Sequence, residues 1–205
     1  MPLLKIINHN LNTKILVWHI TESLADLAIN CTLTHSNQQR ISTMKSIIHQ
    51  RAFFAVRKLL HQISLSDSDL WYDDAGKPHL KNNQFISISH SHSMATIIIS
   101  SQKVGIDIEI QTEKIIKIAN KFAVEPLCKK VKQNYIKKLT VLWGAKEAIF
   151  KIKNEKGISF KNHITLQPFK MTQNHTHAAL QFNTKIEYFD IYYLEIKNYI
   201  LVYAL

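Results

Sequence analysis

The sequence predicts an α+β fold made of two similar subdomains, residues 1–102 and 103–205, packed as a pseudo-dimer around a shared cleft. Three observations carry this expectation. A strand followed by a long helix and then by further strands is written twice along the chain. A length of 205 residues suits one large domain or two small ones sharing a core. No low-complexity linker interrupts the chain at residues 101–104, so the halves are expected to share an interface.

The first half opens on a strand at residues 14–20, where Ile15, Leu16, Val17 and Trp18 form an apolar run of strand-forming residues. After a polar stretch, Ile47, Ile48, Phe54, Leu59 and Ile63 recur at helical spacing and predict a helix over about 43–63. Asp73-Asp74-Ala75-Gly76-Lys77-Pro78 is a turn signal. Strands at 84–89 and 94–101 complete the half. The second half begins with a strand at 104–110 and continues through helical segments to residues 139–153. It closes on strands near 163–169, 186–196 and 199–205.

Composition narrows the function classes. The 46% apolar content excludes wholesale disorder. No apolar run approaches the roughly 20 residues that cross a bilayer, and no secretory leader pattern is present, so a cytoplasmic protein is expected without membrane contacts. Cys31 and Cys128 belong to no C-x-x-C pair, which speaks against a zinc knuckle or redox dithiol and for two buried thiols. The net charge of +11 favours an anionic partner without choosing among nucleic acid, membrane, phosphorylated cofactor and acidic protein. The chain has four glycines, Gly76, Gly105, Gly144 and Gly157, each beside a segment of chemical interest. Gly144 stands out, because glycine inside a helix costs about 1 kcal/mol relative to alanine.

The most informative segment is Val104-Gly105-Ile106-Asp107-Ile108-Glu109-Ile110. Residues two apart on a strand share a face, so Asp107 and Glu109 converge while the isoleucines face the other way. In Trp143-Gly144-Ala145-Lys146-Glu147-Ala148-Ile149-Phe150-Lys151, the residues Trp143, Glu147 and Lys151 form one helical stripe with Lys146 beside it. A helix meeting the strand would add Glu147 to the acidic pair. Carboxylates crowded in this way repel by roughly 4 kcal/mol per pair at an effective dielectric of about 20. A hard divalent cation, Mg²⁺ above all, is the natural filler. Taken alone, Glu147 and Lys151 read better as an i to i+4 ion pair on a solvated face, a reading that loses force beside Asp107 and Glu109. In Phe85-Ile86-Ser87-Ile88-Ser89-His90-Ser91, Ser89 and Ser91 share one face and His90 shares the other with His92. Those histidines are open to three readings: surface residues, a metal pair or phosphate contacts.

Gly76-Lys77-Pro78, Ile88-Ser89-His90-Ser91, Gly105-Ile106-Asp107-Ile108-Glu109 and Trp143-x-x-Lys146-Glu147-x-x-x-Lys151, in that order, resemble the 4'-phosphopantetheinyl transferases of the larger, surfactin-synthetase-activating type. The resemblance runs over about residues 40–170. It implies transfer of the phosphopantetheine arm of coenzyme A to a serine of an apo carrier protein, a holo-acyl-carrier-protein synthase activity that releases 3',5'-ADP. It also implies Mg²⁺ on Asp107, Glu109 and Glu147, with Lys151 meeting the coenzyme A phosphates and acting in catalysis, and Lys146 assisting. Ser89, His90 and Lys77 would contact the nucleotide part, together with Arg51 and Arg57 from a basic helix. Glu125 is the candidate general base, although Lys121-Phe122-Ala123-Val124-Glu125-Pro126 is shorter than the family's segment and sets a proline beside the acid. An acidic acyl or peptidyl carrier protein would be the partner, the cofactor would lie between the halves, and a monomer is expected.

A basic nucleic-acid-binding protein without catalysis is the rival from another class. Against it, the lysines are scattered and no helix-turn-helix, zinc or RNA-reading motif is present.

Overall fold

A computed structural model describes residues 2–124 and 132–205. The protein is α+β, and the chain divides into two compact units, Met1–Lys103 and Val104–Leu205.

In the first unit a hairpin, β1 (Leu3–Asn10) and β2 (Thr13–His19), leads into helices α1 (Leu24–Ala28), α2 (His35–Ser42) and α3 (Ile47–His61). A short ribbon follows, β3 (Leu70–Tyr72) with β4 (Pro78–Leu80), and then the hairpin β5 (Phe85–Ser91) and β6 (Met94–Ser100). The main sheet is antiparallel in the order β1-β2-β6-β5. Its core joins Leu16, Trp18, Ile86 and Ile97 from the strands to Phe53, Phe54 and Leu59 from α3. The helix begins at Ile47 rather than near residue 43, because residues 35–42 form a separate helix that the polar sequence does not announce. Strand β1 lies at the sheet edge with a half-exposed, irregular pattern, which explains why apolar alternation did not reveal it.

The second unit contains β7 (Gly105–Ile110), α4 (Lys114–Ile118), α5 (Lys132–Lys153), β8 (Ile164–Leu166), β9 (His175–Phe182), β10 (Lys185–Ile196) and β11 (Tyr199–Ala204). Its sheet is antiparallel in the order β7-β11-β10-β9-β8. Within each unit, the strand that precedes the long helix pairs with the last strand of that unit, β2 with β6 and β7 with β11. The long helix starts earlier than residue 139, since Ile136 and Leu139 anchor a lysine-rich first stretch that looks polar throughout. Cys31 is half-buried rather than enclosed, and Cys128 lies outside the described residues. Among the described residues, no helix is long and apolar enough to cross a membrane.

Helix α5 lies unusually close to β7. A Cβ at Gly105 would stand 1.9 Å from the carbonyl oxygen of Ala148, a backbone atom that cannot swing aside. Gly105→Ala is therefore expected to push helix and strand apart, with a loss at or beyond the top of the ~1–3 kcal/mol range for overpacked sites. Urea unfolding of the variant checks this, and an unchanged midpoint would contradict the close approach.

Candidate active site

The register of β7 decides where its two acids point. Asp107 pairs with Val202 and Glu109 with Ile200, and both partners belong to the core beneath α5. The acids therefore share the face turned to that helix. Gly144 opens the space: a Cβ there would lie 2.8 Å from Cγ2 of Val202 and 3.5 Å from Oδ2 of Asp107. The carboxylate of Asp107, buried, reaches under the helix at this point. One turn further along α5 lies Glu147, and one more turn brings Lys151, whose Nζ donates to Oδ1 of Asp107 at 2.9 Å and to the carbonyl of Ile106 at 2.8 Å.

The electrostatics agree with crowding. The Glu147 carboxyl is pushed above the ordinary range, first by burial and then by the charge of Asp107, with Lys151 offsetting part of the effect. Asp107, Glu147 and Lys151 are thus brought together, and Glu109 lies half-buried one pleat along on the same face. The donors are carboxylate oxygens alone, and their mutual repulsion is what a divalent cation relieves, so this set fits Mg²⁺. Trp143, on the same helix stripe, packs against Phe122 and Phe160 with ring centroids 5.2 and 5.5 Å away and fixes the segments on either side of the helix.

Two expected cofactor contacts, Lys146 and Arg57, lie inside the fold. Lys146 does not extend toward the acids. It is 2% exposed, and its ammonium donates to the carbonyl oxygens of Phe122, Phe160 and Ile164. Three donors meeting three carbonyls leave none for a phosphate. Arg57 is equally internal at 1% exposure: its Nε donates to Oδ1 of Asp67 at 2.8 Å, and its guanidinium lies 3.4 Å from the centre of the Phe53 ring. Its charge is matched inside the core. Arg51 is half-buried and donates to the carbonyl of Ile20 at 3.2 Å.

The remaining nucleotide-side residues are more open. His90 is exposed at the end of β5, with His49 of α3 5.4 Å away, and Ser89 is buried beside it. Lys77 sits in the turn before β4, where its backbone N–H donates to Oδ1 of Asp73 and Gly76 takes a φ of +79°. A pocket of about 270 Å³ in the first unit brings together Gly76, Pro78, His90, His49, Tyr72 and Arg40. Arg40 and His49 were not anticipated. Arg40 stacks 4.0 Å from the centre of the Tyr72 ring. The available signal was the cationic residue on a segment with too little apolar periodicity to be placed. A larger pocket, about 420 Å³ in the second unit, is lined by Leu142, Ile164, Leu166 and Phe169 among others and includes none of the acids. Glu125 lies outside the described residues.

Residues 103–204 match the family model described as the 4'-phosphopantetheinyl transferase superfamily. The chain belongs to this superfamily. The 4'-phosphopantetheinyl transferase gsp of Aneurinibacillus migulanus is 30% identical over 144 residues, which cover 67% of this chain and 59% of that protein. The chain thus spans somewhat over half the length of this relative. The superfamily match covers the unit that carries β7 and α5, and with them the acids and Lys151.

Proposed function

We propose that this superfamily member transfers the 4'-phosphopantetheine arm of coenzyme A to a serine of an apo carrier protein and releases 3',5'-ADP. The observation that carries the reading is the convergence of Asp107, Glu147 and Lys151 between β7 and α5, with Glu109 on the same face. Asp107, Glu109 and Glu147 would hold Mg²⁺, which when bound supplies positive charge to a diphosphate. Lys151 has two assignments that follow each other. Without the cofactor it neutralises Asp107. With a diphosphate present, its flexible ammonium turns to the phosphate oxygens and offsets charge that builds on the leaving nucleotide. His90 and Arg40 on the smaller pocket, and Lys77 between its lining residues Gly76 and Pro78, are suited to the nucleotide phosphates, as their exposure and charge allow. Glu125 keeps its proposed part as the base that takes the serine proton.

The net charge of +11 suits an acidic carrier protein, and rim charges of this kind mainly speed association and make it sensitive to salt. A cytoplasmic location follows from the same reading, since coenzyme A and carrier proteins are met there.

The test is to incubate the protein with coenzyme A, Mg²⁺ and a panel of apo carrier proteins and to weigh the carriers. A mass gain equal to one phosphopantetheine group, absent when Mg²⁺ is chelated, is the expected result. No gain on any carrier, with salt-sensitive binding to random DNA instead, would overturn the reading in favour of a nucleic-acid-binding protein.

A further inference from the structure

A second group of metal-ligating side chains stands on the opposite face of the second unit's sheet. In β10, Phe189 and Ile191 belong to the core beneath α5, so Asp190 between them points to the other side. In β9, Ala178 and Leu180 likewise face that core, which turns His177 and His175 the same way as Asp190. The antiparallel register sets His177 directly opposite Asp190, and His175 opposite Tyr192 one pleat away. The result is compact. Nδ1 of His177 lies 2.8 Å and Nε2 of His175 3.5 Å from the same carboxylate oxygen of Asp190, and the donor atoms of all three lie within 4.8 Å of one another.

A further observation separates this group from a surface ion pair. Nε2 of His175 is shut off from solvent yet makes no hydrogen bond. The ring is held in place: it stands edge-on to His177 with centroids 4.6 Å apart and packs on Tyr192 at 4.7 Å, which in turn stacks on Tyr203 at 5.1 Å. A nitrogen lone pair or N–H that is dry, fixed and without a hydrogen-bond partner is costly to the fold. An ion bound there would answer it.

We propose that His175, His177 and Asp190 form a binding site for one divalent transition-metal ion of the zinc type. Two imidazoles and a carboxylate are a borderline donor set that suits zinc, nickel or copper and is a poor match for Mg²⁺. Metal-to-ligand lengths of about 2.0–2.2 Å in a tetrahedron place donor atoms about 3.3–3.6 Å apart, which brackets the longer of the two separations seen here and asks the shorter to widen by a rotation of exposed side chains. Three protein ligands leave the fourth position to water. His177 and Asp190 are half-exposed at 53% and 50%, so an ion enters from solvent without the unit opening. The site is independent of the transfer chemistry, because the sheet itself lies between it and the acids on β7.

Titration calorimetry with Zn²⁺ in excess Mg²⁺ tests the assignment, the Mg²⁺ keeping zinc from the acids. One zinc per chain is expected, with His177→Ala and Asp190→Asn each weakening binding by more than about tenfold, a loss that even an outer partner of a ligand can cost. Both side chains are exposed, so the metal-free variants should unfold with the parent. Co²⁺ in place of zinc should give visible absorption bands of a tetrahedral ion in the parent and lose them in both variants. Absence of zinc binding by the parent would overturn the proposal. So would equal affinity in the parent and both variants, which would move any binding to another of the chain's 11 histidines.

Discussion

Glu147→Gln is expected to yield a protein that is more stable than the parent in the absence of metal and almost inert as a transferase. Glutamine keeps the shape of the side chain but removes a charge that burial and Asp107 both oppose. The sign is set by linkage. Because the folded carboxyl is raised above its unfolded value, the ionised form costs stability above the folded value, and the cost fades as pH falls through it. Metal-free parent and variant should therefore differ most at neutral pH and converge in mild acid. Activity should fall by about 10²–10³-fold or more, the scale seen when one group that stabilises transition-state charge is removed. Stability bought at the expense of activity is a pattern of functional sites. Denaturant unfolding at both pH values and the carrier mass assay measure the two halves of this prediction. A variant that is less stable without metal, or that transfers at the parent rate, would remove the proposed role of Glu147.

The second large effect lies far from the acids in sequence. Asp67→Ala should destabilise the first unit by about 3–5 kcal/mol, the usual result of stripping one partner from a buried ion pair. Both Arg57 and Asp67 are 1% exposed, and the carboxylate is the meeting point of three segments. It accepts from Nδ2 of Asn37 at 2.9 Å, from the backbone N–H of Thr34 at 2.7 Å and from Nε of Arg57 at 2.8 Å. Removing it leaves a guanidinium enclosed with no counter-charge. Burial alone would raise the Asp67 carboxyl, but the bonds from Thr34, Asn37 and Arg57 outweigh it and hold the group below the ordinary carboxylate range. The stabilisation is present above the unfolded value and is lost as pH falls through the lowered folded value. Thermal unfolding followed from neutral pH into acid should show this loss in the parent and not in the variant. Parallel curves for the two proteins would contradict it.

What could be read in advance followed from local periodicity. Strand β7 is legible because isoleucines and acids alternate, and the stripe of Glu147 and Lys151 because helical neighbours recur every four residues. The surroundings of Lys146 were not legible for the same reason in reverse: adjacent residues on a helix do not share a face, so its place beside Glu147 in the sequence said nothing about the acids. Its true partners are carbonyl groups, which no side-chain pattern records. Arg57 was hidden by charge bookkeeping of the whole chain. In a protein of net charge +11, an arginine on a basic helix looks like one more phosphate contact, and only the fold reveals Asp67 ten residues later as its partner. Strand β9 was missed because His175 and His177 occupy its outward positions, and the weak apolar contrast they leave is what the tertiary pairing with β10 overrides.

The ammonium of Lys146 reaches the chain on both sides of α5, at Phe122 before the helix and at Phe160 and Ile164 after it. Entry and exit of the long helix are consequently tethered to a single atom near its middle. Neither flank can peel away without stranding a cation in the protein interior, so loosening of one should bring loosening of the other, and the two ends of the helix are expected to open to hydrogen exchange as one cooperative body.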